Sequence, residues 1–156
     1  MYNFRSLTAV LVAIAVAGPI SAQESAPDPL AEETEHYNRE RRRLIVDNLQ
    51  LTASEAGGFW PIYEQFEKEG IVLREKRRQL IAEFGENYDQ MTDAMARKLL
   101  TDRLDLEEER ARIWKIYFAK FEKVLPIKKL ARFYQIESKI RAFVDAGIAE
   151  KIPLIQ

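Results

Sequence analysis

Between Thr52 and Leu125 apolar residues return at steps of four and three. Nowhere do they alternate with the period of two that a half-buried strand requires. That pattern restricts the chain to helices whose apolar sides must meet something. The first stripe runs Phe59, Tyr63, Phe66, Gly70, Leu73, Arg77, Leu80 and Phe84, and Gly85 follows as a natural stop. The second runs Leu100, Leu104, Ala111, Trp114, Phe118, Phe121 and Leu125. Beside it lies a line of Leu99, Leu106, Ile113, Tyr117 and Val124, which widens the face toward its C-terminal end. Each segment is about 32 residues, or roughly 50 Å as a helix. The short GENYDQM turn between them (residues 85–91) makes an antiparallel hairpin of matched length the expected arrangement.

Two further helices flank the hairpin. One spans about 32–48 and carries the run RERRR (residues 39–43). The other follows Pro126, places Leu130, Phe133, Ile136, Ile140 and Phe143 on one side, and reaches about Ala146. The expected fold class is therefore all-α: a long hairpin of helices 2 and 3 with shorter helices at either end. Residues 32–156 are read as a single helical domain.

The entry to helix 2 has its own chemistry. Thr52 is a favourable N-cap, and Glu55 stands where its carboxylate can return to the Thr52 amide, so the two predict a capping box. Inside the helix, Gly57, Gly58 and Pro61 weaken it beside Phe59, Trp60, Ile62 and Tyr63. Pro61 lacks an N–H, and its ring faces the carbonyl of Gly57. The trio predicts a bend near Pro61, with two helices broken near Gly58 as the alternative. The penalty, about 1 kcal/mol per Gly and 3 for a Pro, must be offset by burial. The expectation is that the aromatics grip the fourth helix or the wide end of the third, where Trp114 lies.

The N-terminus reads as a leader. Arg5 precedes an uncharged apolar run at residues 7–18, and small residues follow to Ala22. A cleaved signal peptide of residues 1–22 and a periplasmic destination are expected, with residues 23–31 a flexible lead-in. Residues 1–22 hold one Arg and no acid. Without them, 24 Lys and Arg become 23 against 25 Asp and Glu, a formal charge of −2 that does not favour nucleic acid. With no cysteine, disulfides, thiol chemistry and a lipid anchor on cysteine are excluded.

Leu51, Thr52 and Glu55 resemble the Leu-Thr-x-x-Gln box of periplasmic proteins of the Spy and CpxP type, with Glu in place of Gln. MTDAM (residues 91–95) falls where a second box would open the third helix. There Thr92 matches, Met91 replaces Leu, and Met95 cannot close the box. The resemblance implies an elongated four-helix protein, often dimeric, that holds partly unfolded clients without ATP or engages an envelope sensor.

Reactive chemistry is sparse. His36 is the lone histidine, so a zinc or copper site lacks ligands. No nucleophile motif or phosphate loop is present. The acids of DLEEER (residues 105–110) read as a solvated face that pairs with basic residues of helix 2. No catalytic residue, metal site or cofactor is expected. The candidate binding groups are instead basic. Arg74, Arg77 and Arg78 stand on helix 2, and Lys120, Lys123, Lys128, Lys129 and Arg132 gather near the junction of helices 3 and 4. Mixed with apolar side chains they suit partly unfolded protein clients or a single sensor protein. A homodimer is a further possibility. Nucleic acid and stable membrane insertion are not expected.

Overall fold

The computed structural model describes residues 29–155, with side chains from His36 onward. The leader and residues 23–28 of the lead-in lie outside that range. Among the described residues the elements are α1 (Pro29–Leu49), α2 (Ala53–Asn87), a single 3-10 turn (Tyr88–Gln90), α3 (Asp93–Phe121) and α4 (Ile127–Ala149), and no strand is present. The all-α expectation holds, and α2 and α3 are the longest elements and pack on each other.

The contacts group into two compact units. The first joins residues 29–50 with 133–152. In it Ile45, Leu49, Phe133 and Ile140 are buried, and so are two charged side chains, Arg41 and Glu137. Arg41 grips Glu137 through Nε at 3.0 and 3.2 Å and Nη2 at 2.7 Å, a forked, charge-assisted contact. From the sequence, Arg41 was just one member of a basic run.

The second unit joins Leu51–Arg132 with residues 153–155 and contains the hairpin. Its α2 begins as the sequence predicts. The Thr52 amide donates to Glu55 Oε2 at 2.7 Å, and the Glu55 amide donates to Thr52 Oγ1 at 3.3 Å. Only half of that box recurs on α3, where the Met95 amide donates to Thr92 Oγ1 at 3.3 Å. Helix 2 then runs without interruption through Gly57, Gly58 and Pro61, so the reading of two helices broken near Gly58 is set aside.

Some ends differ from expectation. Gly85 does not stop α2. Its φ is not positive, and the helix continues to Asn87, whose side-chain amide donates to the Glu83 carbonyl at 2.7 Å. The left-handed residue is Gln50 (φ 49°), which ends α1 and turns the chain into the Thr52 box. Helix 3 stops at Phe121, short of Leu125, and its last turn tightens: the Val124 and Leu125 amides both donate to the Phe121 carbonyl. Helices 1 and 4 extend beyond their predicted spans, to Pro29 and Ala149.

The hairpin core is aromatic. Phe59, Tyr63 and Phe66 from α2 meet Tyr117 and Phe121 from α3, all buried. Ring centroids lie 5.2 Å apart for Phe59–Phe121, 5.4 Å for Phe66–Tyr117 and 4.8 Å for Phe66–Trp114. Trp60 sits edge-on to Phe59 and Tyr63. The aromatics thus grip the wide end of α3, as expected. Each large side chain buried this way contributes roughly 1.5–3 kcal/mol, enough in sum to offset the two glycines and the proline. The glycines differ in purpose. A Cβ on Gly58 would come within 2.8 Å of Val124 Cγ1, so its bare Cα lets α2 close on the segment that follows α3. A Cβ on Gly57 would touch nothing within 4 Å.

Candidate interaction surface

Cross-hairpin pairs mark the register. As the α2 partner climbs from Gln65 through Lys76 to Glu83, its mate on α3 descends from Lys120 through Glu109 to Lys98. The distances are 3.4, 2.6 and 2.9 Å. At about 100° of rotation per residue, all six side chains fall on one flank of the buried seam. That flank is bridged. The opposite flank lies away from these three bridges.

That flank carries apolar side chains in the open. On α2 it holds Ile71, with Arg74 and Arg78 close by. On α3 it holds a row at three- and four-residue steps: Arg97, Leu100, Leu104, Glu108, Ala111, Lys115, Phe118 and Glu122, every one exposed. Leu100 is 61% exposed, Leu104 60%, Ile71 44% and Phe118 42%. This corrects the expected role of Leu100, Leu104, Ala111 and Phe118 as core. The buried seam of α3 is instead the adjacent line, Leu106, Ile113 and Tyr117, joined by Phe121. The two rows stand about 130° apart round the helix.

The predicted basic residues occupy two stations. Arg74 and Arg77 are half-buried and engaged, and Arg78 makes a fork to Glu75 at 2.9 and 2.8 Å. That contact raises the Arg78 pKa and, together with Gln79, lowers that of Glu75. Lys120 lies 4.4 Å from the centroid of the Tyr117 ring. The Tyr117 hydroxyl is pushed up by burial and by Glu69. Lys129 donates to Glu55 at 2.6 Å, so it belongs to the capping box of α2. This bond is the main reason the Glu55 carboxyl is held below its ordinary value, ahead of the Thr52 amide. Arg132 is exposed and engaged. Lys123 and Lys128 are exposed, and their side chains make no hydrogen bond or ion pair among the described residues. By the hairpin register, the Arg77 level and the Lys120 level are about 20 Å apart along the axis. Helix 3 and the hairpin therefore do not bring all eight cations to one spot.

The acids of residues 105–110 do meet helix 2, through Lys76–Glu109, while Glu107 pairs within α3 with Arg103 at 2.7 Å. Lys98 is held between Glu83 and Asp102, which raises its pKa, Asp102 most. No helix among the described residues is long and apolar enough to cross a membrane, and none of their acids or histidine forms a group of three metal donors. No protein-family model, characterised protein or solved structure matches the chain.

Proposed function

We propose that this chain is a non-enzymatic, exported protein that holds partly unfolded protein clients in the periplasm through a mixed basic and apolar helical surface. The observation that carries the reading is the exposed flank of the hairpin, where Ile71, Leu100, Leu104 and Phe118 are open with Arg74 and Arg78 beside them. Contiguous apolar area on an otherwise charged helix gives adhesion to any chain that exposes its own. The cations speed encounter with acidic segments. Lys123 and Lys128, near the exposed Ile127, offer a second station of the same character. The resemblance at Leu51, Thr52 and Glu55 points the same way, as does a sequence with one histidine and no cysteine.

The test is suppression of aggregation of several unrelated substrates by the purified mature protein. Broad suppression near one-to-one ratios supports the reading. Loss of suppression is expected in the variant Arg74→Glu, Arg78→Glu, with helicity retained. No suppression of any substrate, together with capture of one envelope sensor, would replace it with a dedicated signalling accessory.

A further inference from the structure

The two helices of the hairpin open with the same cap, and one of the two caps is half made. Thr52 and Thr92 are both extended N-caps, with ψ 164° and 159°. Each hydroxyl accepts from the amide three residues on, at 3.3 Å in both places. At α2 the Glu55 carboxylate answers, accepting from the Thr52 amide at 2.7 Å. At α3 the answering position holds Met95, and the Thr92 amide donates to no described residue. A thioether is too weak an acceptor to serve there. It is, however, one oxygen short of a strong one. An oxygen placed on Met95 Sδ would stand the same number of bonds from Cα as Oε2 does in Glu55. Met95 is 38% exposed, so oxidants reach it, and Met91 before the cap is half-buried. The chain has no cysteine, so methionine is its only sulfur.

We propose that Met95 is a site of reversible oxidation, and that its sulfoxide completes the capping box of α3. The oxidant is a peroxide. A lone pair of Sδ attacks a peroxide oxygen, the S–O bond forms as the O–O bond breaks, and the remaining oxygen leaves as water. The sulfur gives up the two electrons that the peroxide gains. The sulfoxide oxygen then accepts from the Thr92 amide, as Glu55 Oε2 accepts from Thr52. Its partial negative charge sits at the positive end of the helix, where it is favoured. Oxidised methionine ordinarily disrupts a core. Met95 is not in the core, so the change adds a bond without removing packing. The turn it secures is the one from which the exposed Arg97, Leu100 and Leu104 follow. Methionine sulfoxide reductases return the thioether and reopen the box. The inference concerns the start of α3 and does not depend on client binding.

Amide hydrogen exchange tests it. The purified chain is treated with dilute hydrogen peroxide, peptide mapping by mass spectrometry locates the added oxygen, and exchange at Thr92 is followed by NMR. Oxidation at Met95 should slow exchange of the Thr92 amide at least about tenfold, and treatment with the reductases for both sulfoxide epimers should restore it. Met95→Gln supplies the oxygen without an oxidant, so its Thr92 amide should be slow from the start and indifferent to peroxide. Met95→Leu should stay fast with or without peroxide, and Met91→Leu should respond as the parent does. Three results overturn the proposal: a Thr92 amide equally fast before and after Met95 is oxidised, a slowing that persists in Met95→Leu, or peroxide that oxidises Met91 and leaves Met95 reduced. Faster exchange through the first turn of α3 on oxidation would also overturn it, because the sulfoxide would then fray the helix instead of capping it.

Discussion

The two rows of α3 are built from the same kinds of residue and meet opposite fates. Leu106, Ile113, Tyr117 and Phe121 are buried, while Leu100, Leu104 and Phe118, about 130° away round the helix, are exposed. Apolarity does not separate them. What does is the partner: the Phe59, Tyr63 and Phe66 stripe of α2 can face one side of α3, and it takes the side that ends in the dense aromatic cluster. The bridges Lys76–Glu109 and Lys98–Glu83 then lie along one flank. Exposed pairs of this kind contribute little stability, so they mark the register more than they create it. A helix with two apolar rows that packs on α2 through one of them leaves the other exposed.

Substitutions can widen or erase that contrast. The largest effect is expected in the buried row. Phe121→Ala removes the ring that touches Phe59, Phe66 and Tyr117, and should cost about 3–5 kcal/mol in denaturant unfolding. Phe118→Ala, three residues earlier, should cost under about 1 kcal/mol in the monomer. Equal losses would mean that the rows are not distinct. At the close approach of the hairpin, Gly58→Ala should cost about 1–3 kcal/mol, because the new methyl meets Val124. Gly57→Ala meets nothing and should gain up to about 1 kcal/mol of helix propensity. Thermal melts of the pair should therefore move in opposite directions.

The smallest effect concerns pH. The Glu55 pKa is lowered by the Lys129 hydrogen bond first and by the Thr52 amide next. Its contribution is present above the unfolded carboxyl value and is lost as pH falls through the depressed folded one. Glu55→Gln should therefore lower the melting temperature at neutral pH and converge on the parent in acid. A difference that persists unchanged below the carboxyl range would show that Lys129 is not the partner that matters.

Much of this fold is legible in local chemistry. The Thr52 box follows from two residues at the right spacing, and Met95 in the corresponding place explains why Thr92 caps α3 without an answering side chain. The hairpin follows from two stripes and a short turn. Which stripe of α3 turns inward does not, because it depends on how α2 meets it from far away in sequence. The buried Arg41–Glu137 fork is equally hidden: 96 residues separate its partners, and nothing near Arg41 distinguishes it from Arg42 or Arg43, which stay exposed. Gly85 misleads because a glycine after an apolar residue signals a stop only if the backbone turns left-handed, and here it remains helical. Among the predicted basic groups, Lys129 could have been recognised as structural only by knowing that α4 begins beside Glu55.

Thiol labelling examines the two rows most directly, because the chain contains no cysteine of its own. A cysteine at Leu104→Cys, where the native side chain is 60% exposed, should be labelled at least about tenfold faster than one at Leu106→Cys, where it is 3% exposed and reacts only when the hairpin opens. Equal labelling rates at the two positions, or faster labelling at Leu106→Cys, would contradict a buried row and an exposed row on one helix.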